Sequence, residues 1–169
     1  MIGKLREYFE VEDIGKIADV DQALQRLRVA GKAKTALLAG TAHGGFLLHS
    51  RPGVTNKNLA AVPEQQRGLD VVQLHKVVLE GTLGMSEEEV RDQKYLKYIR
   101  DAHEAVEAVR NGANVAFVMN PVRMQQVRDI AFAGEVLPQK STDFYPKLLS
   151  GLTIYSLEEA ALGSAMGGR

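Results

Sequence analysis

Thr35-Ala-Leu-Leu-Ala-Gly-Thr-Ala-His-Gly-Gly-Phe-Leu-Leu-His-Ser50 reads as two short strands folded against each other. Thr35 to Gly40 and Gly45 to Ser50 are apolar runs of strand length. Thr41-Ala42-His43-Gly44 lies between them and ends at a glycine pair. The spacing predicts a β-hairpin with a four-residue loop, and hence antiparallel pairing in the N-terminal half. His43 sits at the tip. Loop histidines are most often only solvated, so its position alone assigns it no role.

Upstream, Tyr8 to Ile14 sets Phe9 and Val11 against Glu10 and Glu12, which predicts a strand with no element before it. Asp21 is placed to cap a helix through Ala30, with Ala23, Leu24 and Leu27 inward and Gly31 as its stop. Downstream, residues 51–68 show no period and are too polar for a core. They are expected to form a flexible loop. Asp70 and Gln73 suggest a capping box for a helix whose apolar stripe is Val71, Leu74, Val77 and Val78. His75 lies at the edge of that stripe and reads as a half-buried, hydrogen-bonded structural histidine. Ser86 and Glu89 form a second box, opening a short acidic helix.

From Tyr95 the pattern alternates. Tyr95 to Arg100 reads as a strand. An Asp101-capped helix follows, with Ala102, Ala105, Val106 and Val109 at i, i+3, i+4, i+7. Ala113 to Met119 is a continuous apolar run, the pattern of a strand covered on both faces. Asn120-Pro121 then opens a helix to Ala133. Leu152 to Leu157 is the last strand. Such alternation argues for parallel strands joined by helical crossovers. The expected fold class is α/β, with α+β as the alternative. It is a mixed sheet combining the N-terminal hairpin with a C-terminal β-α-β-α-β unit, in one domain over residues 1–169.

Lys plus Arg and Asp plus Glu both number 21, so any positive site must be local and a general nucleic-acid binder is disfavoured. Cysteine is absent, which removes disulfides, thiolate catalysis and Cys-based zinc sites. His43, His49, His75 and His103 show no metal-ligand spacing, so no metal site is expected. No apolar run reaches membrane-spanning length and the N-terminus has no signal-peptide pattern, so a cytoplasmic location is the expectation. No catalytic constellation assembles, and no cofactor is indicated.

The unusual chemistry is gathered in Leu137-Pro-Gln-Lys-Ser-Thr-Asp-Phe-Tyr-Pro-Lys-Leu-Leu-Ser-Gly151. Lys140-Ser141-Thr142 is not a P-loop, because Gln139 stands where a glycine must precede the lysine. Lys140 and Lys147 could still offer charge to an anion. Ser141 and Thr142 would add hydroxyl donors, and the helix opening at Asn120 backbone donors. The competing reading is a packed connection with its lysines in water, and on residue chemistry alone that reading is the stronger.

The same stretch through Leu152 resembles the closing signature, roughly M-P-P-K-S-T-x-F-x-P-K-x-x-S-G-L, of the bacterial and archaeal family known as domain of unknown function 1015. Leu74-His75, Ala116-Phe-Val-Met-Asn-Pro121 and Val127-Arg-Asp-Ile-Ala131 before Gly134 fall in the expected order. Leu137, Gln139 and Asp143 depart from the signature, and Asp143 sets a negative charge inside the supposed anion site. Family members are about twice this length and carry a D-G-H-H-R motif in their first half that this chain lacks. The resemblance therefore implies the C-terminal part of a longer architecture, as a fragment or one product of a split gene.

The expected function is binding of an anionic or phosphate-bearing small molecule by Lys140, Ser141, Thr142, Lys147 and Asn120, as part of a larger enzyme, whether one chain or split. The alternative is an assembly module. It would complete a separately encoded N-terminal half, or form a homodimer through the strand edge at residues 8–14. A nucleic-acid role like that of ParB-type proteins, to which some family members are likened, ranks third.

Overall fold

The hairpin forms the centre of a sheet that has four strands among the described residues. The computed structural model describes residues 1–51, 53–54, 56–138 and 141. A helical turn, α1 (Ile2–Leu5), precedes the first strand, where the sequence suggested no element. The strands are β1 (Phe9–Gly15), β2 (Ala36–Thr41), β3 (Gly44–Ser50) and β4 (Val115–Met119), in the order β1-β3-β2-β4. Helices complete a mixed α/β fold, as expected. The loop between β2 and β3 is tighter than four residues. Thr41 pairs with Gly44, and its hydroxyl donates to Gly44 O (2.9 Å), so only Ala42 and His43 turn the chain.

Every adjacent pair of described strands is antiparallel, including β4 on β2. This corrects the expectation of parallel neighbours after Tyr95. The crossover unit is instead N-terminal. β1 and β2 run the same way, joined by α2 (Val20–Ala33), but β3 lies between them, a split β-α-β arrangement. The C-terminal β-α-β-α-β unit loses its first strand, because residues 95–100 form no strand. Its last, Leu152 to Leu157, lies outside the described residues.

β2 is covered on both faces. Leu37 and Ala39 point to one side with Leu48 and Phe9, while Ala36 and Leu38 point to the other with Leu47. Full burial of each leucine contributes about 1.5–3 kcal/mol. On the second face α2 packs Ala23 and Leu27. Its cap is Asp19, whose carboxylate accepts from Gln22 N (3.0 Å), not Asp21. Asp21 falls in the first turn, where its charge suits the helix dipole. Gly31 does not stop the helix. It sits inside it, because the Asn120 amide occupies the space a Cβ would need. Gly45 has a similar reason, since a Cβ there would come within 2.7 Å of Ile17 Cγ1.

The first face is covered by α3 (Asp70–Val72), which runs directly into a π-helix, Gln73–Thr82. Leu74, Val77, Val78 and Leu79 bury against the sheet. The expected Asp70–Gln73 capping box is absent. Leu69 holds the cap position and Gln73 Nε2 donates to Arg67 O (2.7 Å). Residues 51–68 contain two 3₁₀ turns, at Lys57–Leu59 and Glu64–Gln66, with Asn56 and Gln66 buried. α4 (Glu87–Arg91) has the predicted Ser86–Glu89 box, and α5 (Ala102–Arg110) the predicted Asp101 cap.

Residues 95–100 place Leu96 against the core and leave Tyr95, Lys97, Tyr98 and Arg100 exposed, and they pair with no described strand. β4 is half-buried rather than covered on both faces, and is an outer strand of the described sheet. α6 (Met124–Phe132) starts after Arg123, three residues later than the Asn120 cap predicted from sequence. Asn120 is diverted to Asp70.

Candidate functional site

Of the five residues predicted to hold an anion, Lys140, Thr142 and Lys147 lie outside the described residues. The other two are engaged within the chain. Ser141 Oγ donates to Pro138 O (2.6 Å). Asn120 N and Nδ2 both donate to Asp70 Oδ2 (3.1 Å each), and Nδ2 also reaches Ala36 O (3.3 Å). Asn120 thus ties the end of β4 to β2, to the start of α3 and, through Gly31, to α2. Burial pushes the Asp70 carboxyl up from its ordinary range, while the Asn120 hydrogen bonds pull it back. A carboxylate so close to Asn120 opposes an anion there.

A broad concavity lies elsewhere, on the π-helix face of the sheet. It is a cleft of about 870 Å³. Its floor is Phe46 on β3 with Val115, Phe117 and Met119 on β4. These alternate residues share one face because strand side chains repeat every two positions. Leu74, His75 and Leu79 of the π-helix form one wall, and Ala105 and Ala108 of α5 another. Residues 95–99 run along its rim, and His43 approaches from the hairpin tip.

Thr41 and Asn114 also line the cleft, and two of its polar side chains, His75 and Tyr98, meet each other. Tyr98 Oη and His75 Nε2 are 3.2 Å apart, with the rings edge to face at 6.3 Å. His75 is half-buried and hydrogen-bonded, as read from the sequence. Burial holds its imidazole below the usual 6.5, opposed by the Glu80 carboxylate, and burial pushes the Tyr98 phenol up. Both shifts favour the uncharged forms near neutral pH. Charges close by are paired on other surfaces. Lys76 meets Glu80 (2.9 Å) and Glu87 (3.5 Å), and Lys97 on the rim meets Glu104 (4.0 Å).

π-helices are rare and cluster at functional sites. Here the wide turn runs from the core contact of Leu74 to Thr82, whose hydroxyl donates to Val77 O (3.0 Å). Among the described residues, no three His, Asp or Glu side chains converge as a metal requires. No described helix is long and apolar enough to cross a membrane.

Reading the sequence missed the cleft. The sequence reading put Tyr95 and Tyr98 on a strand. Lys94 in fact lies over the Tyr95 ring, 5.2 Å from its centre, and Tyr98 turns to His75. One usable signal was present in β4, where Val115, Phe117 and Met119 alternate on one face. No family model, curated protein or solved structure matches this chain.

Proposed function

We propose that this chain is a small-molecule-binding domain whose ligand has a mainly apolar body and lodges in the cleft between the π-helix, β4 and residues 95–99. The observation that carries the reading is the cleft itself. Its volume of about 870 Å³ falls in the range of small-molecule sites, and its described walls are mainly aromatic and aliphatic, with the hydrogen-bonded His75–Tyr98 pair among them. The proposal is for binding.

The test uses N-phenyl-1-naphthylamine, a neutral apolar dye that brightens when it leaves water. It should bind the full chain saturably. Ala105→Trp, which places an indole inside the cleft, should weaken the dye by about tenfold or more while leaving the circular dichroism unchanged. Undiminished binding by a folded Ala105→Trp protein would place the dye elsewhere and end the proposal.

The anion site at Lys140, Ser141, Thr142 and Lys147 is a separate proposal. It rests on the composition of that loop and on its resemblance to domain of unknown function 1015. Lys140→Ala tests it, since inorganic phosphate binding should be lost with little change in stability. Asn120 is better assigned to holding the fold together, because its donors face a carboxylate and a backbone carbonyl.

A further inference from the structure

We infer that the protein has a further ligand site, enclosed by the β2–β3 turn, the loop after β1 and α5, that takes a small organic anion: one carboxylate on a short apolar body. The inference goes beyond the cleft and does not rest on it.

The site is a hollow of about 510 Å³, within the range of small-molecule pockets. Val106 and Val109 of α5 line it, whereas Ala105 and Ala108 of the same helix line the cleft. Ile17, in the loop after β1, and the bare backbone of Gly40 on β2 complete its apolar part. Ile17 packs onto the α2 side of the sheet, and the glycines beneath make room for it. A Cβ on Gly40 would come within 3.3 Å of Ile17 Cδ1, and one on Gly45 within 2.7 Å of Ile17 Cγ1. Close packing of this kind makes a fixed wall. Thr41 lines both the hollow and the cleft, but its hydroxyl is engaged in the turn. It donates to Gly44 O (2.9 Å) and accepts from Gly44 N (3.2 Å).

Two cationic side chains, Lys16 and Arg110, also line this hollow. Arg110 Nη2 donates to Ile17 O (3.3 Å), which ties the guanidinium to the backbone one residue from Lys16. Arg110 Nη1 meets Glu107 Oε2 (3.0 Å). Both bonds restrain the guanidinium before a ligand arrives, so less side-chain freedom is lost on binding. They use two of the five N–H groups that a guanidinium carries. Glu107 offsets part of the Arg110 charge. That pair is half-exposed and screened by water, and Lys16, itself exposed, adds a second positive charge.

A carboxylate fits this pair of cations. Its two oxygens match the planar donors of a guanidinium, and an ammonium serves it as a point charge. Ile17, Val106 and Val109 then offer hydrocarbon to the body behind the carboxylate. A neutral molecule of the same shape would gain the burial without the charge-assisted hydrogen bonds. A cation would meet two charges of its own sign.

The experiment titrates benzoate, benzamide and benzylammonium at neutral pH into the full chain with ¹³C-labelled valine and methionine methyls. Benzoate should shift Val106 and Val109 saturably while leaving Met85 and Met119 of the cleft unmoved. Benzamide, nearly the same in shape but uncharged, should bind at least about fivefold more weakly. Benzylammonium should bind more weakly still. Lys16→Glu reverses a charge on an exposed side chain. It should weaken benzoate about tenfold or more and leave N-phenyl-1-naphthylamine binding unchanged. Lys16→Arg should retain benzoate. Benzamide binding as tightly as benzoate would overturn the inference. So would a folded Lys16→Glu protein with undiminished benzoate affinity, or benzoate shifts confined to Met85 and Met119. The dye reads the cleft separately, so dye binding without benzoate binding ends this inference alone, and benzoate binding without dye binding ends the cleft reading alone.

Discussion

Asn120 shows how one residue can be legible in type and misread in use. Asn before Pro is a strong helix-start signal, and sequence reasoning took it as one. Its side chain instead meets Asp70, fifty residues earlier, and fills the space beside Gly31. No local pattern encodes a contact at that separation. The consequence is testable. Gly31→Ala should gain helix propensity of about 1 kcal/mol but force Asn120 off its partners, for a net loss of roughly 1–3 kcal/mol in urea unfolding. In the Asn120→Ala background the same substitution should cost far less, with a coupling of about 0.5–3 kcal/mol. Additive effects would mean the two residues do not interlock. His75 gives a second residue-scale prediction. Its folded-state value lies below 6.5, so between the two the unfolded chain binds more protons. Stability should therefore fall as pH drops below about 6.5, and the loss should be complete once the folded-state value is passed. His75→Gln should flatten that slope relative to the parent. The facing charges, Glu80 and Lys76, pair with each other throughout. Parallel slopes for the two proteins would contradict the burial argument.

At the scale of elements, what could be read was what local chemistry decides. The Ser86–Glu89 box and the Asp101 cap stand where predicted, because capping is settled within four residues. The hairpin stands too, one residue tighter at each end of its loop. Strand direction could not be read, because Val115–Met119 is as apolar beside an antiparallel neighbour as beside a parallel one. The π-helix was equally hidden: its stripe of Leu74, Val77 and Val78 is also that of an α-helix. In the described part of the connection at 51–68, the second 3₁₀ turn is held by single polar contacts with no periodicity. Gln66 Nε2 reaches Glu135 Oε2 (2.9 Å) and Val136 O (3.3 Å), bridging the second 3₁₀ turn to the segment after α6. Gln66→Ala should destabilise the protein by about 1–3 kcal/mol, a loss visible as faster amide exchange in residues 64–69. A surface-like effect below about 0.5 kcal/mol would show that the turn is not anchored there.

For the whole molecule, balanced charge turns attention from long-range steering to local surface chemistry. The two outer strands of the described sheet differ in kind. β1 carries Glu10, Glu12 and Asp13 and a register shift between Asp13 and Gly15, devices that resist strand addition. β4 carries no charge, and its inward face is the floor of the cleft. The cleft is assembled from β3, β4, the π-helix, α5 and a rim segment spread over most of the described chain. Only the tertiary arrangement makes it visible. The most direct test of its role is a titration of indole into the full chain carrying ¹³C-labelled methionine methyls. Met85 and Met119 line the cleft, while Met124 is 69% exposed on α6 and serves as the internal control. The cleft reading predicts saturable shifts at Met85 and Met119 with Met124 unmoved. Indole binding that leaves Met85 and Met119 still, or shifts Met124 equally, would contradict it.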